Sequence, residues 1–217
     1  MAMNEKKMIE LAVGGDKSAL ESLIMSVQDL IFNLSVRMLG SIQDAEDATQ
    51  EIIIRIITHL SGFREESAFS TWVYRIAVNY LLNYKKSMFA QHPLSFEFYG
   101  EDIDAGYIEN NPELLHNVDE GILAEELKMS CTNVMLQCFD AESRCIYILG
   151  TMFRLDSKMA GEILDLSPVA FRKRLSRIRK KMADFLKTYC GLAGGKCNCK
   201  KRVGYATHSR RLNPLDL

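Results

Sequence analysis

A dense run of cations is the first feature of this sequence that indicates a binding chemistry. Residues 166–181 (LSPVAFRKRLSRIRKK) place seven Lys and Arg side chains in their last ten positions, although the 217-residue chain has a formal net charge of only −1. At about 100° per residue, Phe171, Leu175 and Ile178 fall on one side of a helix, and the cations occupy most of the remaining surface. Because a merely solvated helix has no need of so much self-repelling charge, the pattern favours binding of a polyanion such as DNA.

The residues around this basic helix predict a helix-turn-helix. Asp156 can cap a short first helix over SKMAGEIL, and a tight turn falls on Asp165 and Leu166. Ser167 then caps the second helix, with Pro168 in its first position, where a missing N–H costs nothing. In this motif the early residues of the second helix reach base edges in the major groove, whereas later cations contact the phosphate backbone. The candidate cations are Arg172, Lys173, Arg174, Arg177, Lys180 and Lys181.

Aromatic, amide and cationic side chains are interleaved over residues 63–86 (FREESAFSTWVYRIAVNYLLNYKK). This combination suits single-stranded or melted DNA, because bases stack on aromatic rings while cations hold the backbone. By spacing alone, Trp72, the single tryptophan of the chain, is equally compatible with a place in the core.

An acidic surface is predicted at the start of the helix over QDAEDATQEIIIRIITHL. Its isoleucines face inward, and the carboxylates near its N-terminus interact favourably with the helix dipole. Such a surface either serves solubility or docks on a basic protein surface. Its members are Asp44, Asp47, Gln50 and Glu51.

Three of the six cysteines lie near the C-terminus, at Cys190, Cys197 and Cys199, with His208 further along. Three thiolates and an imidazole could bind Zn²⁺, and soft thiolates also suit Cu(I), although Cys-x6-Cys-x-Cys is not a standard zinc spacing. Neighbouring cations would lower the thiol pKa values, so redox sensing is a second interpretation. A flexible tail with incidental cysteines is the third, and no other cofactor is expected. Burial in apolar helices is expected for Cys131, Cys138 and Cys145.

Helical periodicity dominates the chain, and strand signals are weak throughout. We therefore predict an all-α fold of two small helical domains, residues 1–88 and 121–187, the second containing the helix-turn-helix. Residues 89–120 are rich in Pro, Gly, Asp, Glu and Asn and predict an acidic linker, being too long for a simple loop. Residues 188–217 lack apolar periodicity and predict a basic tail.

The charge of the chain is divided along its length. Residues 1–153 contain 11 Lys and Arg against 23 Asp and Glu, a net −12, whereas residues 154–217 contain 16 against 5, a net +11. This asymmetry predicts a polyanion partner for the basic part. The sequence shows neither the apolar core of a signal peptide nor an apolar run of about 18 residues, so we expect a cytoplasmic protein without membrane insertion. Because no Walker loop, metalloprotease motif or supported Ser/His/Asp arrangement is present, we expect no enzyme.

Four segments resemble, in their order and spacing, bacterial RNA polymerase sigma factors of the extracytoplasmic function (ECF) group. They are LAVGGDKSALESLI, DAEDATQEIIIRIITHL, FSTWVYRIAVNYLLNYKK and DSKMAGEILDLSPVAFRKRLSRIRKKM. The resemblance covers residues 8–186 and implies a factor that directs polymerase to promoters by −35 recognition and −10 melting. The alternative is a stand-alone helix-turn-helix regulator that responds to a ligand, metal or redox signal.

The resemblance also implies a role for each candidate surface. Residues 1–88 are similar to sigma region 2, which binds the β′ clamp of RNA polymerase core and melts the −10 element. Residues 121–187 are similar to region 4, which reads the −35 element, and the linker would thread toward the active-site and RNA-exit region. An anti-sigma protein is a further implied partner, and some members carry a cysteine-rich C-terminal extension that senses metal. Polymerase binding would fall to Asp44, Asp47, Gln50 and Glu51. The −10 contacts would be Phe63, Arg64, Ser67, Phe69, Ser70, Trp72, Arg75, Asn79, Lys85 and Lys86. The −35 contacts would be Ser167, Val169, Ala170, Arg172, Lys173, Arg174, Arg177, Lys180 and Lys181.

Overall fold

The computed structural model describes residues 5–84, 86–108 and 113–215, and within these ranges the chain is all-helical apart from one isolated β-bridge. A π-helical turn at Ile148–Met152 extends α8, and 3₁₀ turns occupy Leu60–Gly62 and Gly191–Ala193. The α-helices are α1 (Glu5–Val13), α2 (Lys17–Leu39), α3 (Ile42–His59), α4 (Phe69–Leu82), α5 (Met88–Gln91), α6 (Phe96–Ala105), α7 (Glu120–Gln137), α8 (Ala141–Tyr147), α9 (Ser157–Leu164), α10 (Pro168–Tyr189) and α11 (Cys199–His208).

Short polar residues and glycines set the boundaries of the N-terminal helices. The Asp16 carboxylate accepts a hydrogen bond from the Ala19 N–H at 2.9 Å and so caps α2. Gly40 ends α2 in the left-handed conformation, with φ of 73°, which glycine adopts without steric cost. Ser41 follows at once as the N-cap of α3. Asp16 and Gly40 therefore mark the two ends of α2.

The chain divides by compactness into two units. Unit 1 comprises Met1–His92 and Ala141–Leu175, and unit 2 comprises Pro93–Asp140 and Ser176–Leu217, so the division passes through α10. The boundaries predicted from the sequence, at residues 88, 120 and 187, group these segments differently and stay a prediction.

The core of unit 1 is built on α2, α3 and α4. By length and composition α2 is apolar enough to cross a membrane. However, Leu23, Ile31 and Leu34 are at most 1% exposed and pack inside the unit, as expected for a central core helix. Residues 141–175 belong to the same unit: α9 packs against α4, and the buried Arg144 donates to the backbone carbonyl of Met38 in α2.

Unit 2 contains helices in both segments that the sequence indicated as irregular. Helix α6 lies inside the predicted linker and α11 inside the predicted tail, and α11 packs against α7. The interpretation of this segment as a flexible tail is not favoured, because Val203, Ala206 and Leu212 enter a buried apolar cluster with α7 residues. These apolar residues are too few to give a clear periodic signal in a segment dominated by Lys and Arg.

A charged network ties α11 to α6 in unit 2. The Asp102 side chain is 8% exposed and accepts from Arg202 Nη2 at 3.2 Å, from Tyr205 Oη at 2.9 Å and from Arg211. Burial raises the pKa of Asp102, but hydrogen bonds from Arg211 and Tyr205 outweigh it and hold the pKa below its ordinary value. The Arg202 guanidinium also donates to the backbone carbonyls of Asp102 and Ile103, which satisfies this nearly buried cation.

Candidate nucleic-acid interface

The turn between α9 and α10 has the tight geometry that the sequence predicts. The Asp156 carboxylate caps α9 by accepting from the N–H groups of Lys158 and Met159 at 2.8 and 3.0 Å. Asp165 turns the chain in the left-handed conformation with φ of 56°. A Cβ at Gly161 would lie 2.5 Å from the Leu166 carbonyl oxygen, so glycine is required for this close approach.

The apolar arc of α10 is buried as predicted. Phe171 is 1% exposed, and both Phe171 and Leu175 lie against Gly150, where an added Cβ would approach their side chains to 3.0 and 2.5 Å. Ile178, Met182 and Phe185 are each less than 10% exposed. Burial of one face fixes which side chains of the helix remain available for a ligand.

The cations of α10 are exposed to solvent along the opposite face. Those in the predicted −35 set are all exposed: Arg172, Lys173, Arg174, Arg177, Lys180 and Lys181. Val169 and Ser167 are also exposed, whereas Ala170 is half-buried and its N–H donates to Ser167 Oγ at 3.1 Å, which caps the helix. The exposed face can therefore contact both base edges and phosphates.

Two of these arginines already have polar partners on neighbouring elements. Arg172 donates to Ser157 Oγ at 2.8 Å, and Arg174 forms an exposed ion pair with Glu142 of α8. Exposed ion pairs contribute little to stability, about 0–1 kcal/mol, so Arg174 can leave Glu142 for a DNA ligand at low cost. Further along the helix, Lys181 Nζ lies 5.0 Å from the centroid of the Phe96 ring.

An open cavity of about 820 Å³ lies along α4 in unit 1. Rings and amides at helical spacing line it, and the Arg55 guanidinium of α3 lies 4.9 Å from the centroid of the Tyr80 ring. Aromatic faces beside cations are what single-stranded nucleic acid requires. The lining residues are Arg55, His59, Gly62, Trp72, Ile76, Asn79, Tyr80, Asn83, Tyr84 and Lys86.

Trp72 belongs to both the core and the cavity. It is half-buried and packs at 5.4 Å from the Phe63 ring and 5.8 Å from the Phe69 ring, measured between centroids. Phe69 is only 1% exposed and packs against the Trp72 ring, which does not favour its predicted contact with DNA. The sequence could not separate these roles, because both rings follow the same aromatic pattern.

The other predicted −10 residues are distributed around this cavity and the loop before α4. Arg64 and Arg75 are exposed, and Ser67 and Ser70 are half-buried, but none of these four lines the cavity. Lys85 lies outside the described residues. Sequence reasoning missed Arg55 and His59 because they belong to α3, whose pattern indicated only an acidic start and an apolar face. Among the lining residues, Asn79 and Lys86 of the predicted set are exposed.

The predicted acidic surface is present at the start of α3. Asp47, Gln50 and Glu51 are exposed. Asp44 is half-buried because Tyr84 Oη donates to its carboxylate at 3.1 Å. Burial, and then this hydrogen bond to a carboxylate, raise the pKa of Tyr84 to about 12. The acidic surface therefore adjoins the α4 cavity within one unit.

The C-terminal cysteines gather around a thiol that the sequence assigned to the core. Among the described residues, no group of three or more His, Cys, Asp and Glu side chains is arranged to hold a metal ion. Cys199 begins α11 and His208 ends it, which separates them by roughly 13 Å along the helix axis, so they cannot share an ion. Cys131 on α7 interacts electrostatically with Cys190 and Cys199. Zinc or Cu(I) at the thiols stays a prediction.

The expected lowering of the thiol pKa values does not occur at Cys197 and Cys199. Burial raises the pKa of Cys197 to about 11, and the opposing influence of Arg202 is smaller. Burial also raises the pKa of Cys199, with Cys190 adding to the effect. The thiols of Cys197 and Cys199 therefore hold their protons at neutral pH, so neither is favoured as the attacking thiolate, and redox sensing stays a prediction.

The chain is similar in sequence and in fold to known proteins. Residues 23–87 match the family described as Sigma-70 region 2. The chain is 29% identical over 194 residues to the ECF RNA polymerase sigma factor SigW of Bacillus subtilis, covering 85% of this chain and 100% of that protein. It is 28% identical over 183 residues to the ECF RNA polymerase sigma-E factor of Escherichia coli K12, covering 82% and 92% of the two chains. The structure of CnrH in complex with the cytosolic domain of CnrY is similar in fold, with a TM-score of 0.61, 18% identity, and coverage of 85% of this chain and 97% of that one.

Proposed function

The chain belongs to the ECF group of bacterial RNA polymerase sigma factors, and we propose that three surfaces divide its work between polymerase and promoter DNA. As a sigma factor it binds RNA polymerase and directs it to specific promoters. The family and relatives favour this function over a stand-alone helix-turn-helix regulator. The assignment of individual residues to each surface is our proposal.

The exposed face of α10 supports a role in reading the −35 element. Its buried face fixes the helix, its first turn is capped, and Arg172 and Arg174 stand exposed near its N-terminus. In a helix-turn-helix these early positions meet base edges, whereas Arg177, Lys180 and Lys181 are placed for the phosphate backbone. This combination of a fixed helix and an exposed cationic face is the observation on which the proposal chiefly rests.

In vitro transcription with core polymerase tests the −35 role. Arg172→Ala and Arg174→Ala should each lower transcription from a −35-dependent promoter by roughly 10-fold to 100-fold, the cost of about 1–3 kcal/mol for a lost base contact. Lys187→Ala is the matched control, an exposed cation on the same helix beyond the proposed contacts. Unchanged promoter choice in both arginine variants, with normal binding to core polymerase, would refute the assignment.

The α4 cavity supports a role in holding the melted −10 element. Trp72 offers a half-exposed ring, Asn79 and Tyr80 line the same cavity, and Arg55 stands over the Tyr80 ring. Stacking of a base on an aromatic ring contributes about 1–3 kcal/mol, and a cation beside it holds the backbone. We propose that strand separation is driven by this binding within the holoenzyme and that the chain itself catalyses no reaction.

The exposed carboxylates of α3 support a role in docking on the β′ clamp of the polymerase. Asp47→Lys places a like charge against a basic partner and should weaken holoenzyme assembly, measured by titration of labelled core polymerase. Glu21→Lys is the matched control, because it makes the same kind of charge change at an exposed position of α2, outside the proposed docking surface. Equal weakening by both variants would indicate a general charge effect and contradict a specific docking surface.

The cellular setting follows from this function. We propose that the protein acts in the cytoplasm, where polymerase and promoter DNA are found. An anti-sigma protein is a further proposed partner, and the fold likeness to a sigma factor structure solved with a cytosolic domain of another protein supports it.

A further inference from the structure

We propose that Cys190 and Cys197 form an intramolecular disulfide when the protein is oxidised by a peroxide. The inference goes beyond promoter recognition and does not depend on it. Both cysteines belong to unit 2 and are half-buried free thiols, within reach of a small oxidant.

The backbone pairs these two cysteines directly. Cys190 and Cys197 are partners in a parallel β-bridge, in which the Cys197 N–H donates to the Tyr189 carbonyl at 2.8 Å. Paired backbone segments lie about 4.8 Å apart, which falls within the Cα separation of roughly 4.4–6.8 Å that disulfides require. Partners in a parallel bridge also direct their side chains to the same face, so the two thiols need no large backbone movement to meet.

Contacts within the loop between the two cysteines keep the Cys190 and Cys197 backbones close together. The Cys190 carbonyl accepts from the N–H groups of Ala193 and Gly195, at 2.9 and 2.8 Å. A Cβ at Gly191 would lie 2.0 Å from the Cys197 carbonyl oxygen, and one at Gly195 would lie 2.5–2.8 Å from the Tyr189 and Cys190 backbone. Because only glycine tolerates contacts this close, the sequence of the loop itself holds the pair together.

The neighbouring thiols are engaged differently. Cys131 Sγ accepts a hydrogen bond from Tyr99 Oη at 3.0 Å, and Cys199 packs against the apolar cluster between α7 and α11. Neither is paired through the backbone with Cys190. Cys199 also interacts electrostatically with Cys190, so it is the backbone pairing that favours Cys197 as the partner of Cys190.

The chemistry balances with peroxide as the oxidant. One of the two cysteines loses its proton, and its thiolate sulfur attacks a peroxide oxygen; the O–O bond breaks, a sulfenic acid forms, and the leaving hydroxide takes up a proton to become water. The second thiol sulfur then attacks the sulfenic sulfur, and its proton leaves with the hydroxyl group as a second water. Two thiols and one hydrogen peroxide become one disulfide and two waters, with the sulfurs oxidised and the peroxide oxygens reduced.

Peptide mapping of the full-length protein tests the proposal. The reduced protein is treated with hydrogen peroxide, its remaining thiols are alkylated, and trypsin is added without reductant. Because Lys196 separates the two cysteines, they fall in different peptides, TYCGLAGGK and CNCK. We expect these peptides to be joined, with the alkyl group on Cys199, and to separate when dithiothreitol is added.

Single variants test the selectivity of the bond. Cys199→Ser and Cys131→Ser should form the same link to at least half the wild-type extent, whereas Cys197→Ser should leave Cys190 alkylated. A wild-type link from Cys190 to Cys199, to Cys131 or to a second chain would overturn the proposal. Two other outcomes would also overturn it. In the first, elemental analysis before oxidation finds Zn²⁺ in the purified protein and the thiols stay reduced. In the second, other cysteines oxidise while Cys190 and Cys197 stay unlinked.

Discussion

Replacing Asp102 by Asn should weaken the attachment of α11 to the rest of unit 2. The carboxylate is the counterion of Arg202, whose side chain is only 9% exposed, and it also accepts from Tyr205. Removing one partner of a buried ion pair costs about 3–5 kcal/mol, because the other charge is left uncompensated. Arg202 would keep two backbone acceptors, the carbonyls of Asp102 at 3.1 Å and Ile103 at 2.8 Å. The cost should therefore fall near the lower end, about 3 kcal/mol.

Hydrogen exchange measured by mass spectrometry can follow this change locally. A loss of about 3 kcal/mol makes the opening of α11 roughly 100-fold more frequent, so its amides should exchange faster by that factor. Asp104→Asn is the matched control on the same helix. Asp104 pairs with Lys196 at 2.8 Å, but the two side chains are 44% and 64% exposed, and such a pair is worth about 0–1 kcal/mol.

Two outcomes would refute the reasoning. If Asp102→Asn and Asp104→Asn accelerate exchange in α11 equally, burial does not determine the strength of these ion pairs. If neither variant changes α11 while both retain native helix content, the apolar cluster of α7 and α11 holds the helix without help from the charged network.

Three further predictions concern pH and packing. The pKa of Asp102 in the folded protein lies below its ordinary value. Its contribution to stability is therefore complete above the unfolded pKa of about 3.9 and is lost as the pH falls through the folded pKa. Hydrogen exchange of the α11 amides, measured at decreasing pH, should show this loss in the wild type and not in Asp102→Asn. Phe171 is 1% exposed, so Phe171→Ala should lower the free energy of unfolding by about 3–5 kcal/mol in urea titrations. Val169 lies on the same helix but is 52% exposed, so Val169→Ala should change this free energy by no more than about 0.5 kcal/mol. Gly161→Ala should lower Tm, at a cost of roughly 1–3 kcal/mol for overpacking against the turn, and Gly62→Ala, where a Cβ meets nothing within 4 Å, should not.

The two faces of α10 could be predicted closely from the sequence. Its apolar residues repeat at helical spacing over about four turns, and Ser167 and Pro168 mark its start, so the buried face and the exposed cations follow from local geometry. Pairing of Arg174 with Glu142 could not be predicted, because it depends on how α8 lies beside α10.

The cavity along α4 could be predicted only in part from the local sequence pattern. An aromatic run indicates that rings will cluster, but it does not say which ring is covered by its neighbours. Packing buried Phe69 and left Trp72 half-exposed, and it added Arg55 and His59 from another helix. A composite surface of this kind depends on the relative placement of α3 and α4, which no spacing within either helix encodes.

The sequence by itself determined the all-helical class, the helix-turn-helix and the charge that selects a nucleic-acid partner, because these depend on residues a few positions apart. Only the tertiary structure decided that the predicted linker and the C-terminal segment contain helices that pack in unit 2. Asp102 and Arg202 are 100 residues apart in the chain, and their burial together turned an acidic and a basic segment into one folded unit. The same packing brought Cys131 to the C-terminal thiols and paired Cys190 with Cys197, because long-range contacts are set by the core and not by sequence spacing.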